Sequence, residues 1–362
     1  MKSVNLVVSH LSPELGLERC VRDLVGVLNE ENLSVRVISI GGPAEPDEAY
    51  PVDVRLLSLG HALTGFSRVK SVARMWKFFR KEPQGEVFIL CGIWAALPSL
   101  VAKSRAQRVV VWEHSLNGSK TAASRPLRVL GWFARFLYRR AEHIVAVSQD
   151  VATFLCNSRL NRVAVIANPV TIGRRVGNSR ERTSGPKRLL AVGSLTETKN
   201  QELLLRALAL AGWPFTLTIL GDGPKRADLQ GLARELGIQD HVVFRGHVAS
   251  SDVQKYLATT DLLVHPSLGE TFGLVLFEAA EASVPVVAVD AAVMSHFVGV
   301  AVPGRLSEPI PEAFEAALRL ELHTTRDEEE LRAAARERRK LIDLQSIRES
   351  WMETLTSIAN AD

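Results

Sequence analysis

The chain is poor in cysteine. Its 362 residues hold three, Cys20, Cys91 and Cys156, far apart and with no C-x-x-C pair. That disfavours a disulfide framework or a zinc ribbon and suits reduced thiols in a cytosolic protein. No H-E-x-x-H, no paired His/Cys ligand spacing and no G-x-S-x-G occurs, so metallohydrolase and serine hydrolase readings lose their motif basis. The G-x-x-x-x-G-K-[ST] phosphate loop and the D-x-D metal motif are also missing, as is any nucleic-acid recognition motif. Long apolar runs are lacking too. The longest uncharged stretch, 87–102, has 16 residues and includes Gly92 and Pro98, short of the ~20 that a spanning helix needs. The opening MKSVNLVVSH carries too short an apolar run for a secretory signal. The expected location is therefore cytoplasmic.

What is present is enough apolar sequence, 46% of residues, for two cores at roughly 150 residues per domain. Charge is divided unevenly. Residues 1–170 hold 22 Lys+Arg against 14 Asp+Glu, a net of +8, and residues 171–362 hold 22 against 26, a net of −4. Short apolar runs at 5–9, 34–40, 87–90, 109–112 and 144–148 read as buried strands, with helical periodicity between them. The rhythm restarts with strands at 189–192, 216–220, 241–244, 262–265 and 286–289 and helices at 200–211, 226–236 and 274–282. Alternation of this kind predicts two doubly wound α/β domains with parallel sheets. The first is expected over 1–170 and the second over 171–343. Residues 173–187 read as a linker, 303–311 as a breaker region and 325–340 as a solvated helix. An amphipathic stretch near 344–362 is expected to pack back on the first domain.

Ligands of open α/β sheets bind beyond the carboxyl ends of the strands, and several segments sit there. After the strand ending at His265, a loop carries Glu270 and a helix is expected to begin near Phe272, followed by Gly273 and Leu274, with Glu278 inside it. The unbonded amides of such a helix start suit a phosphate, and the two carboxylates suit sugar hydroxyls. On spacing alone, Glu270 reads equally well as a helix cap and Glu278 as a surface residue. Gly193 with Lys199 six residues on can bring a cation to a diphosphate. The turn at Gly221 and the strand end at Arg245 are further candidates. In the first half, Gly16 opens a helix and His114 follows Glu113 at a strand end.

Taken in order, Gly16-Leu17-Glu18-Arg19, Glu113-His114, Val147-Ser148-Gln149-Asp150, Asn168-Pro169-Val170, Gly193 to Asn200, Gly221-Asp222-Gly223-Pro224 and Glu270 to Glu278 resemble the retaining glycosyltransferases of family 4. The E-x7-E element is the most specific part. The resemblance implies the GT-B architecture, two facing Rossmann-like domains with a cleft, the first binding acceptor and the second the nucleotide sugar. It implies that Glu278 binds the ribose and Glu270 the donor sugar. Lys199 and the amides of Phe272, Gly273 and Leu274 would neutralise the leaving diphosphate, with Gly193, Gly221 and Arg245 also on the donor side. Gly16 would approach phosphate or acceptor from the other domain, and His114 would lie near the anomeric carbon. Glu270, His114 and Lys199 are thus the expected catalytic set. No metal or cofactor is implied, the nucleotide-diphosphate sugar being a substrate. The acceptor would be a saccharide or a lipid-linked molecule of cell-surface polysaccharide or glycolipid synthesis, and a UDP-sugar is favoured over a GDP-sugar. Three departures stand out. Ser194 replaces the usual arginine, Leu15 a glycine, and Ala291–Ser295 the Gly-Gly-x-x-Glu loop. The competing readings are an epimerase or phosphorylase of the same architecture, and a non-catalytic binding protein.

Two segments of the basic half mix cations with aromatics. Residues 66–81 carry Arg68, Lys70, Arg74, Lys77, Arg80 and Lys81 with Phe66, Trp76, Phe78 and Phe79. Residues 124–140 carry five arginines with Trp132, Phe133, Phe136 and Tyr138. Such mixtures suit the anionic cytoplasmic face of a membrane, although each helix also needs an apolar face for its own sheet.

Overall fold

A computed structural model describes residues 3–10, 16–41, 57–58, 67–104, 107–115, 125–160, 162–170, 185–291 and 293–360. The chain divides into two compact units, Met1–Val170 with Ile342–Asp362, and Thr171–Leu341.

The first unit is a parallel sheet of β1 (Ser3–His10), β2 (Ser34–Gly41), β3 (Leu57–Ser58), β4 (Val87–Cys91), β5 (Arg108–Glu113), β6 (His143–Ala146) and β7 (Val163–Val165). The spatial order is β3-β2-β1-β4-β5-β6-β7, with every pair parallel. Strands buried on both faces read as continuous Val/Ile/Leu, as VFILC in β4 shows with all five residues buried. Its helices are α1 (Gly16–Asn29), α2 (Ser67–Phe79), α3 (Ile93–Ala102), α4 (Arg125–Tyr138) and α5 (Gln149–Cys156). Strand order reverses between β1 and β4, so right-handed crossovers send α1 to one face and α2, α3 and α4 to the other. Packing agrees, since α3 lies between α2 and α4.

The second unit repeats the plan with β8 (Lys187–Val192), β9 (Phe215–Leu220), β10 (Val242–Gly246), β11 (Leu262–His265), β12 (Val286–Val289) and β13 (Gly304–Ser307), ordered β10-β9-β8-β11-β12-β13. Its helices are α6 (Gln201–Ala209), α7 (Arg226–Glu235), α8 (Ser250–Leu257), α9 (Leu274–Glu281), α10 (Met294–Phe297), α11 (Pro311–His323) and α12 (Glu328–Leu341). The last helix, α13 (Leu344–Ala359), belongs to the first unit. Asp343 caps it by accepting from the Ser346 amide at 2.8 Å. Ile347, Trp351, Leu355 and Ile358 form its buried stripe, and Trp351 meets Trp112 of β5 edge-on at 5.4 Å.

Several expectations need correction. The region 303–311 reads as a breaker because of its prolines, yet it contains β13. As an edge strand β13 tolerates Pro303, whose carbonyl accepts from Val286 N–H at 3.0 Å. Gly304 is required there, because a Cβ would lie 2.1 Å from the Val286 carbonyl oxygen. The short strands β3 and β7 also go unread. Helix α9 does start at Leu274, as the periodicity over 274–282 predicts and two residues beyond Phe272, because Gly273 takes φ +74° and forms the N-cap. Helix α12 is not solvated throughout. Arg338 is buried, donating to Glu281 at 2.7 Å and to the Ala301 carbonyl at 3.0 Å. Most of the expected linker, and Leu15 and Phe66, lie outside the described residues. Among the described residues no helix is long and apolar enough to cross a membrane.

Candidate functional site

In the second unit, strand order reverses between β8 and β11, so the loops leaving these neighbours diverge and open a crevice. Backbone bonds lace the loops together. Gly193 N–H donates to Leu220 at 2.9 Å, Leu195 to Asp222 at 2.9 Å, Gly221 to Gly246 at 2.7 Å and Leu268 to Thr198 at 2.9 Å. Gly221 must be glycine, since φ is +127° and a Cβ would fall 2.1 Å from the Gly193 carbonyl oxygen. Arg226 braces the same turn, donating to Asp222 at 2.9 Å and to the Phe244 carbonyl at 3.2 Å.

These constraints bring Lys199, after β8, to Glu270, after β11. The ammonium donates to the carboxylate at 2.5 Å. His265, the buried last residue of β11, places Nε2 3.2 Å from the same Glu270 oxygen. Burial pushes the Glu270 carboxyl up, but the Lys199 charge and the His265 bond outweigh it, leaving the group well below the usual carboxylate range. The cluster is thus an ionised carboxylate and an ammonium, neither fully enclosed. An ammonium has three donors, so Lys199 can keep Glu270 and still grip an anion. His265 is the member of this cluster that the sequence motifs do not single out. Its signal is thin: one polar side chain ending an apolar strand.

Beyond Glu270 the chain turns through Gly273 into α9, and a helix start leaves backbone amides without partners in a preceding turn. Glu278 is buried within α9. Phe272 stacks on Phe277 at 5.1 Å, and Phe297 of α10 closes on both rings at 5.7 and 5.1 Å. The segment standing in place of the Gly-Gly-x-x-Glu loop buries Val293 and Met294, and Phe297 just beyond it is buried as well. Ser194 is exposed, and its carbonyl accepts from Gln201 at 3.2 Å. Arg245 is exposed at the end of β10, beside Gly246 with φ +74°.

The first unit presents other chemistry at its strand ends. Gly16 is exposed at the start of α1, and residues 11–15 before it lie outside the described residues. Glu18, in the first turn of α1, is buried, and desolvation pushes its carboxyl up to about 7. Burial likewise pushes up Glu113, the last residue of β5, which accepts from Tyr138 Oη and from Ser115 N and Oγ at 2.8 and 2.7 Å. Burial lowers His114 to about 3, so the imidazole is neutral, with its ring 4.3 Å from Trp112. Lys199, Glu270, Gly193, Gly221, Phe272, Gly273, Leu274, Glu278 and Arg245 all lie in the second unit, and Gly16 and His114 in the first. Among the described residues no three His, Cys, Asp or Glu side chains converge to hold a metal ion.

Comparison with known proteins divides at the same place. Residues 16–174 match "Glycosyltransferase Family 4" and residues 177–338 match "Glycosyl transferases group 1". A 2-deoxystreptamine glucosyltransferase of Streptomyces kanamyceticus is 33% identical over 121 residues, 33% of this chain and 31% of that protein. The chain thus spans about a third of that relative's length. The amylovoran biosynthesis glycosyltransferase AmsD of Erwinia amylovora is 25% identical over 308 residues, 80% of this chain and 81% of that protein. Anabaena HepE, solved in complex with UDP-glucose, superimposes with a TM-score of 0.79 at 20% identity over 99% of this chain and 100% of its own. These likenesses establish the GT-B type of fold.

Proposed function

Since the chain belongs to the glycosyltransferases that join a family 4 domain to a group 1 domain, we propose that it moves a sugar from a nucleoside-diphosphate donor to an acceptor hydroxyl with retention of configuration and without a metal. The acceptor is a saccharide or lipid-linked molecule, as the relation to an amylovoran biosynthesis enzyme suggests, and a uridine donor is favoured, as for HepE. The observation that carries the reading is the Lys199–Glu270–His265 cluster at the strand reversal of the second unit.

In this reading Lys199 and the free amides of α9 take the diphosphate, and Glu278 takes the ribose hydroxyls. Glu270 stays ionised because Lys199 and His265 hold it so, and it accepts from hydroxyls of the donor sugar. The bond between the anomeric carbon and the diphosphate oxygen breaks with its electron pair on the phosphate. Stabilising that charge is the main catalytic work. The acceptor oxygen then bonds to the anomeric carbon from the same face and its proton passes to the leaving phosphate, so no protein nucleophile is needed.

Thermal shift against UDP-glucose, UDP-galactose, UDP-N-acetylglucosamine and GDP-mannose tests the donor, because a ligand at 100 Kd adds about 2.7 kcal/mol to the folded state. At least one UDP-sugar should raise Tm in the wild type and fail to do so in Glu278→Ala. Silence from the whole panel would overturn the donor assignment. Sugar interconversion without any acceptor would assign an epimerase instead.

A further inference from the structure

We propose that the outer face formed by α2, α3 and α4 of the first unit docks on an anionic lipid bilayer. Helix α4 has two apolar sides. Gly131, Ala134, Leu137 and Tyr138 are buried against the unit. On the opposite side Val129 is 67% exposed, Trp132 65%, Phe133 44% and Phe136 54%. The spacing i, i+3, i+4, i+7 aligns these four into a single ridge. Nothing in the unit's own packing requires it, because the buried side already anchors the helix.

The neighbours extend the face. Helix α3 packs between α2 and α4 on the same side of the sheet, so the outward sides of all three point the same way. Trp76 of α2 is 51% exposed, and Val101 of α3 is also exposed. The structure sorts the aromatics that the sequence leaves mixed. Phe78, Phe79 and Tyr138 go to the core, while Trp76, Trp132, Phe133 and Phe136 go outward.

Charge identifies the partner. Residues 67–81 contain six Lys and Arg and no acid, and residues 125–140 contain five Arg and no acid. Arg74, Lys77, Arg80, Lys81, Arg139 and Arg140 are exposed. Arg80 lies over Trp76 at 4.6 Å and Arg139 over Phe136 at 5.9 Å, so cations flank the rings they accompany. Aromatic and aliphatic tips beside Arg and Lys, with no acidic residue among them, match an interface whose surface is anionic and whose interior is hydrocarbon. A nucleic acid would engage the cations and leave the Val129–Phe136 ridge in water.

The inference concerns a surface of the first unit and is independent of donor chemistry. Its test is co-sedimentation of the full chain with vesicles of phosphatidylcholine alone or with about 30% phosphatidylglycerol. Binding is expected with phosphatidylglycerol, at least ten-fold weaker without it, and at least ten-fold weaker at about 0.5 M salt. The double variant Trp132→Ser/Phe136→Ser should lose binding about ten-fold or more while keeping the wild-type Tm, since both side chains are exposed. Equal binding to neutral vesicles, no binding, or unchanged binding of the double variant would overturn the proposal. So would a dimer in sedimentation velocity that the same double variant dissociates, which would assign the ridge to a second copy of the chain.

Discussion

At the strand reversal of the second unit, Lys199, His265 and Glu270 share one cluster in which charge is kept. At the strand ends of the first unit, Glu18, Glu113 and His114 are all pushed toward their neutral forms by burial. The two sheets have the same reversed order beside their first strands, so topology does not account for the difference. The partners do. Glu270 has a cation at 2.5 Å, whereas Glu113 has the neutral hydroxyls of Tyr138 and Ser115 and a backbone amide. One scaffold thus offers a charged end or a neutral one, depending on whether the loops deliver an ammonium.

Four substitutions sharpen that contrast. Trp351→Ala removes a fully buried indole that meets Trp112 beside His114, and should cost about 3–5 kcal/mol of first-unit stability in denaturant unfolding. The donor response of the second unit should survive it. Glu270→Ala should lower kcat/KM by about 10²–10³-fold, followed as nucleoside diphosphate released, which would place it with residues that act on developing charge. Tyr138→Phe leaves the buried Glu113 carboxyl short of a donor and should destabilise by about 1–3 kcal/mol without altering donor binding.

The smallest effect is a pH slope. Glu18 titrates near its ordinary value when unfolded and at about 7 when folded, so the folded chain binds the extra proton between these values. Stability therefore falls as pH rises from about 4.5 to about 7 and is level beyond. His114 acts oppositely. Held neutral down to about 3, it adds stability as pH rises from there to about 6.5. Tm against pH for Glu18→Gln should lose the falling component alone. A profile unchanged from wild type would show that Glu18 is not held protonated. In the second unit, the depressed Glu270 contributes stability at neutral pH that is lost as pH falls below the ordinary carboxylate range.

The α/β alternation was legible because strands covered on both faces must be apolar throughout, as in VVAV of β12 and LLVH of β11. Edge strands escape that rule. β7 is only three residues long and at most half-buried, a run too short to stand out, and β13, GRLS among prolines, produces no apolar run. Lys199 and Glu270 could be named from their places beyond strand ends, but His265 could not. Its role depends on the loop 266–269 folding back, with Ser267 donating to the Gly269 carbonyl at 3.1 Å. The outward ridge of α4 was illegible for a different reason. A helix that is apolar on two opposite sides gives no sequence cue as to which side meets the sheet.

Helix α13 also sets a timetable. The contact between Trp112 and Trp351 joins residues 239 positions apart (351 − 112), with the entire second unit between them. At a synthesis rate of ~5–20 residues per second, the segment 171–341 takes roughly 10–30 s to emerge. During that time the sheet of the first unit exists without the indole that covers Trp112, and by its end the second unit has all of its own strands. The nascent chain therefore completes its later half first, and its earlier half waits for its final helix.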